Sequence, residues 1–404
     1  VKGVYRALEK ILSIKRFLQL PTQGKIEHVR DIVTPVKNDP GIDRAIRMGM
    51  AWLCWAQDNS LSKDGGVARD YSLVNGWSSS YPETTGYIIP TMIAYAKKYQ
   101  DITTRSRAKR MLDWLVAIQF PDGGFQGGLI DSTPIVPVVF NTGQILLGLA
   151  SGVREFGEEY RDSMRRAADW LVRAQDHDGC WRRYPTPFAA PGEKAYETHV
   201  AWGLLESAKE SNNSAYKEAA LKNIRWALTM QRDNGWFDKC CLVDPSQPLT
   251  HTIGYALRGI IEAYRSTKDQ DVLKACVKTA DGLVKVADMR NGFIPGRINS
   301  EWEGTVSWAC LTGSVQIALC WMMLYQDTAV VHYRDAAFVA NSYVRRTIRM
   351  TGSDGICGGV KGSFPVYGDY GKYEYLNWAS KFFIDSNMME DEIRELDNMV
   401  LASD

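Results

Sequence analysis

The sequence predicts an all-α protein in which six outer and six inner helices close into a double ring, an (α/α)6 toroid. Three observations predict it. A Trp stands five residues before a Gln in Trp52/Gln57, Trp114/Gln119, Trp170/Gln175 and Trp226/Gln231, and the last three Gln are 56 residues apart. Self-similarity at a fixed period marks a repeat architecture. Charged amphipathic segments alternate with nearly uncharged ones, and the links between them alternate between short and long.

In chain order, the first 18 residues carry five Lys/Arg against one Glu and have no unbroken apolar stretch, which predicts a basic amphipathic leader and not a secretory signal. Residues 1–40 are read as that leader, packing on or near the ring, 41–390 as the toroid catalytic domain, and 391–404 as a C-terminal tail. Segments 103–119 and 160–175 put apolar residues at helical spacing with Arg and Lys on the other face, so they read as outer helices. After Gln119, Gln175 and Gln231 comes a turn: Asp122-Gly123, Asp178-Gly179 and Asn234-Gly235, with weaker copies at Asn291-Gly292 and Asp354-Gly355 and an insertion before Asp64-Gly65. The weakly charged segments 85–99, 142–153, 198–207, 252–264, 312–325 and 377–384 are apolar nearly all round and read as the inner ring.

Inner-to-outer links are short, as at 100–102, whereas outer-to-inner links run to about 20 residues, a length that is usually functional. These long loops feed the N-termini of the inner helices, where free N–H groups and positive dipole ends gather. The expected site is that mouth.

Composition narrows the function. With 48 Lys+Arg against 47 Asp+Glu, bulk charge does not recruit nucleic acid. Hydrophobic and charged fractions of 45% and 24% exclude general disorder. Eight cysteines in 404 residues are too sparse for a disulfide framework, so reduced thiols and a cytoplasmic location are expected. No stretch approaches 18 apolar residues. Residues 1–18 also suit an anionic membrane surface, so peripheral contact with the inner face of a membrane stands as an alternative.

The run Gln175-Asp-His-Asp-Gly-Cys-Trp181 resembles the repeat of the squalene cyclase and protein prenyltransferase β-subunit superfamily, and Asp122-Gly-Gly-Phe-Gln-Gly-Gly128 resembles its glycine-rich turn. The scaffold is also similar to carbohydrate-active toroids: glycosidases, uronate lyases and sugar epimerases. This likeness implies the fold, while chemistry has to come from the site. The Asp-x-Asp-Asp acid run of a class II terpene cyclase is missing, and Asp238 and Cys240 do not stand at an inner helix head as a prenyltransferase zinc site requires. No metal and no cofactor are therefore expected.

Aligning the inner helices on Thr85, Thr142, Thr198, Thr252 and Thr312 puts Thr84, Asn141, Glu197, His251 and Leu311 at one equivalent place. The Thr reads as a cap that accepts a free helix N–H. Glu197 and Glu83 are candidate acid/base carboxylates, since burial raises a carboxyl pKa. His251 and His199 are placed for proton transfer near neutrality. Substrate binding is assigned to Asn141, Trp77, Tyr81, Phe125, Trp181, Arg182, Arg183, Tyr184, Trp236, Trp302, Tyr370 and Tyr373, because aromatic faces with Arg suit sugar rings that bear carboxylates.

The resulting expectation is an enzyme acting by general acid/base chemistry on an acidic, uronate-containing glycan. Hydrolysis would pair Glu197 with Glu83. Lyase or epimerase chemistry would use His251 or a Tyr, with Asn141 and Arg182 or Arg183 neutralising the substrate carboxylate. Two alternatives are an isoprenoid-handling toroid and a non-catalytic binder of glycans or lipid-linked precursors in polysaccharide assembly.

Overall fold

A computed structural model describes residues 17–33 and 38–401. Leader residues 1–16 lie outside the described residues. Helix α1 (Thr22–Val33) is followed by twelve helices that alternate outer and inner: α2 (Ile42–Asp58), α3 (Pro82–Tyr99), α4 (Ile102–Ile118), α5 (Val139–Phe156), α6 (Arg161–Ala174), α7 (Thr198–Ser211), α8 (Ser214–Leu228), α9 (Thr250–Thr267), α10 (Gln270–Val286), α11 (Leu311–Thr328), α12 (Val331–Thr347) and α13 (Asn377–Leu401). The protein is an (α/α)6 toroid. Odd-numbered α3 to α13 form the inner ring: each packs on the next, and α13 packs back on α3. Each inner helix also packs on the outer helix after it, and α13 takes α2, so the two ends of the chain close the ring.

The repeat is the fastener of the outer ring. Gln119 Nε2 donates to the Gly123 carbonyl of its own turn (3.0 Å) and to the Ser163 carbonyl of the next outer helix (3.0 Å). Gln57 and Gln175 do the same one unit earlier and one later. The turn Asp or Asn accepts an N–H two residues on, as Asp122 does from Gly124 (3.1 Å), an arrangement these side chains favour. Gly123 has φ +105° and its Cα faces the backbone of Arg166 on α6, so a side chain there would meet a carbonyl. The same contact closes the ring: Gly358, φ +81°, faces the Met48 carbonyl of α2. The sixth turn is thus built on Gly358, three residues past the Asp354-Gly355 pair that the sequence suggested.

Two expectations change in detail. The inner helices α3, α5, α9 and α11 begin up to three residues before the repeated Thr, so these Thr sit inside the first turn. Thr85 and Thr142 Oγ1 accept the Val67 and Phe125 N–H groups (both 3.0 Å). They tie the incoming loop to the helix and do not cap free helix N–H groups. Helix α13 continues to Leu401, through the stretch read as a tail.

The long loops also carry strand pairs too short to show as a sequence pattern. Strands β1 (Asp70–Ser72), β2 (Gly76–Trp77) and, beyond the pair β3 (Ala309–Cys310) and β4 (Ser363–Phe364), β5 (Glu374–Leu376) complete two antiparallel sheets. Their orders are β2-β1-β5 and β3-β4, so β1–β5 joins the first loop to the last. Helix α1 lies across that last loop. Its buried Glu27 and Asp31 meet Lys361 (3.2 and 2.6 Å), Glu27 pairs with Arg349, and Asp31 accepts the Val366 N–H (2.8 Å).

Candidate functional site

At the heads of the inner helices the ring holds a cavity of about 200 Å3. Glu83, in the first turn of α3, and His251, in the first turn of α9, both line it. Helices α3 and α9 are three places apart in a ring of six, so the carboxyl and the imidazole stand on opposite walls. One helical turn deeper, Tyr87 and Tyr255 project from the same faces, and their hydroxyls meet at 3.3 Å to form the floor. Tyr81, Tyr196, Phe140, Tyr370 and Trp378 complete an aromatic wall, and Arg69 is its cation. Arg69 pairs with Asp70, reaches Glu374 (3.3 Å) and lies 5.2 Å from the Trp378 ring.

Burial sets the chemistry. Glu83 is 9% exposed, and loss of water pushes its pKa up to about 7 against the smaller opposing pull of the Tyr81 hydroxyl (3.0 Å) and Arg69. A carboxyl at that value exchanges protons at neutral pH. Burial also drives the His251 pKa down to about 3, with Arg297 adding to the effect, so this imidazole is neutral. Its ring stacks on Tyr370 (4.5 Å between centroids, 30°), whose hydroxyl accepts the Trp378 indole N–H (2.8 Å). His251 Nδ1 has no hydrogen-bond partner among the described residues. Buried polar groups normally have one, which leaves this nitrogen available to a ligand in the cavity. Asn141, on α5, is buried beside Tyr81 and does not line the cavity.

The structure thus brings Glu83, His251, Tyr81 and Tyr370 to one cavity. It places the other assigned residues elsewhere, each for a visible reason. Glu197 is 7% exposed, but its charge neighbours are Lys194, Arg182 and Asp176, on the loop side of α7 and off the cavity wall. His199 lies behind the floor: Nδ1 bonds Gln144 Oε1 (2.6 Å) and the ring abuts Tyr255 (4.7 Å). Arg182 is held by Asp176, Asp178 and Glu193 (2.7 to 3.2 Å), and Arg183 donates to the Arg173 carbonyl (2.7 Å).

The remaining aromatics pack loops onto the ring. Trp77 sits between Trp52 and Tyr71, Tyr184 on Trp170, and Trp236 on Trp302; Phe125 is buried under α5. Trp181 donates to the Leu171 carbonyl (2.9 Å), and Tyr373 bonds His28 beneath α1 (2.7 Å). Sequence reasoning missed Arg69, Tyr87 and Tyr255. The two tyrosines carried a usable signal, since each follows an assigned residue by four places and so shares its helix face.

The closed double ring with a cavity at the inner helix heads defines the class of protein. Its family follows from the sequence: residues 36–259 match the model of the squalene-hopene cyclase C-terminal domain, and the chain belongs to that family. A search of curated proteins finds no match. Among solved structures, an unsaturated glucuronyl hydrolase specific for heparin superposes with a TM-score of 0.71 at 14% identity, covering 88% of this chain and 98% of that one. Cellobiose 2-epimerase from Bacillus thermoamylovorans B4167 gives 0.68 at 11% identity over 86% and 97%. A D-mannose isomerase gives 0.68 at 10% over 87% and 97%. At these identities the likeness establishes the fold.

Among the described residues no helix is long and apolar enough to cross a membrane.

Proposed function

We propose that the protein is a carbohydrate-active enzyme that moves a proton on an acidic sugar, in the manner of an epimerase or lyase. The observation that carries this reading is Glu83, a carboxyl with its pKa near 7 set across the cavity from a neutral imidazole. A hydrogen on the carbon next to a carboxylate is removable by such a base once the carboxylate charge is offset. Arg69, a guanidinium on the Glu83 side whose charge is shared with Asp70 and Glu374, donates to that carboxylate, in place of the arginines 182 and 183 expected from sequence. Ionised Glu83 takes the proton. In epimerisation a proton returns to the opposite face of the same carbon, and in elimination the bond from the next carbon to the glycosidic oxygen breaks and the departing oxygen takes the proton from Glu83. On the far wall His251, steadied by Tyr370, hydrogen-bonds the sugar, and the Tyr87–Tyr255 pair limits how deep the ring sinks.

Two-carboxylate hydrolysis has weaker support, because Glu197 does not share the cavity with Glu83. The similar toroids act on glucuronyl, cellobiose and mannose substrates by their names, which agrees with a sugar in this cavity. The test is incubation with uronate-containing oligosaccharides while following reducing ends and the ultraviolet absorbance of an unsaturated uronate. Absorbance supports elimination, and altered sugar configuration with neither signal supports epimerisation. Reducing ends alone would overturn the proposal in favour of hydrolysis.

A second reading is favoured by family membership and the aromatic wall: a site for an isoprenoid chain. Binding of an isoprenoid diphosphate, with no response to any acidic sugar, is the result that would select it.

A further inference from the structure

Beside the main cavity lies a second one of about 360 Å3, and Phe188 and Leu242 line both. The two spaces are therefore neighbouring chambers of one mouth. Their chemistry differs. The inner chamber is aromatic and holds Glu83 and His251, whereas the outer one is walled by Gln247, Arg297 and Asp244, with Asp369 at its rim.

Arg297 is the notable group. It is partly buried and donates to the Gln247 carbonyl (3.0 Å), and among the described residues it has no carboxylate partner. Arg69 and Arg182, by contrast, are held by acids. Asp244 accepts from Ser246 and Gln247 (2.6 and 2.9 Å) and lies near enough to feel the Arg297 charge without forming an ion pair, and Asp369 is exposed. The outer chamber thus holds a guanidinium with no ion pair of its own, flanked by Asp244 and by the exposed Asp369. Phe188, 60% exposed on the partition, offers a flat apolar face of the kind that stacks on a sugar ring.

Resting on the glycan reading above, we propose that the outer chamber is a second sugar subsite, and that the unit bound there stacks on Phe188 and presents an acidic group to Arg297. The substrate is then at least a disaccharide with two acidic units, one per chamber. A guanidinium suits a carboxylate or sulfate because its planar fork pairs with two oxygens at once.

The experiment measures dissociation constants by titration calorimetry for a panel of diuronate disaccharides and their constituent uronates, on wild type, Arg297→Gln and Arg297→Lys. In wild type the matching disaccharide is expected to bind about tenfold tighter than its monosaccharide, the effect of one charge-assisted hydrogen bond. In R297Q that ratio falls to about one, and in R297K it is intermediate. Circular dichroism confirms that the variants fold. Equal binding of disaccharide and monosaccharide by wild type, or a ratio that survives R297Q, would overturn the subsite while leaving the glycan reading in place. Failure of every sugar in the panel to bind wild type would overturn both.

Discussion

Glu83 and Glu197 are two buried carboxyls at the heads of inner helices, one on α3 and one just before α7, and both have their pKa raised by burial. They differ in what they face. Glu83 opens on a cavity with a tyrosine hydroxyl and an imidazole across from it, whereas Glu197 is enclosed with Lys194 against the loop. They are one residue out of step in the repeat: Glu83 stands two residues before Thr85, Glu197 one before Thr198. The depth is shared, but the direction in which the carboxyl points is not.

The most severe way to break this comparison is to exchange each acid for its amide. Glu83→Gln is expected to lower kcat by about 10² to 10⁴, the usual contribution of a positioned acid or base, whereas Glu197→Gln is expected to keep kcat within about threefold. Comparable losses in both variants, measured on the same uronate oligosaccharide, would erase the distinction.

Stability against pH sharpens it next. The folded pKa of Glu83, about 7, lies above the ordinary glutamate value of 4.5, so the folded state holds this proton more tightly than the unfolded state. The resulting stabilisation is complete below about 4.5 and is lost as pH rises through about 7. At 1.36 kcal/mol per unit it amounts to about 3 kcal/mol. Urea unfolding at pH 5 and pH 8 should show that slope in wild type and a flatter one in E83Q, making the inactive variant the more stable protein at pH 8. Activity runs the opposite way: kcat rises through about pH 7 as Glu83 ionises, and E197Q keeps that profile.

A smaller effect separates the two histidines. His199→Ala removes the Gln144 bond and leaves a buried amide unpaired, which costs about 1 to 3 kcal/mol of stability. His251→Gln is expected to alter KM and kcat with less change in unfolding. The smallest effect belongs to the loop. Arg182→Gln removes a largely exposed ion-pair cluster, with a cost of about 1 kcal/mol or less and no change in kcat.

The ring was legible because it is periodic. Trp170, Gln175, Asp178 and Gly179 repeat because each unit must grip the next with the same atoms, and a spacing of 56 exposes that requirement directly. The inner helices were legible for a related reason, since a helix surrounded by other helices has no use for charge. At the mouth the periodicity ends. Arg182 and Trp181 have the composition of a sugar site and serve as loop packing, while Arg69 and Arg297 reach the chambers from loops that no repeat marks. Glu83 was read as a head group, and its offset of one residue from the place of Glu197 did not by itself say which carboxyl would open on the cavity. The difference arises from Lys194 and Arg182, which come together with Glu197 only when the chain folds.

Proton exchange tests the central claim most directly. A uronate disaccharide is incubated in deuterium oxide with wild type and with Glu83→Gln, and the hydrogen on the carbon beside the carboxylate is followed by nuclear magnetic resonance. That signal is expected to disappear with wild type and to persist with E83Q. A signal that persists with wild type while the sugar is consumed, or that disappears equally fast with E83Q, would contradict it.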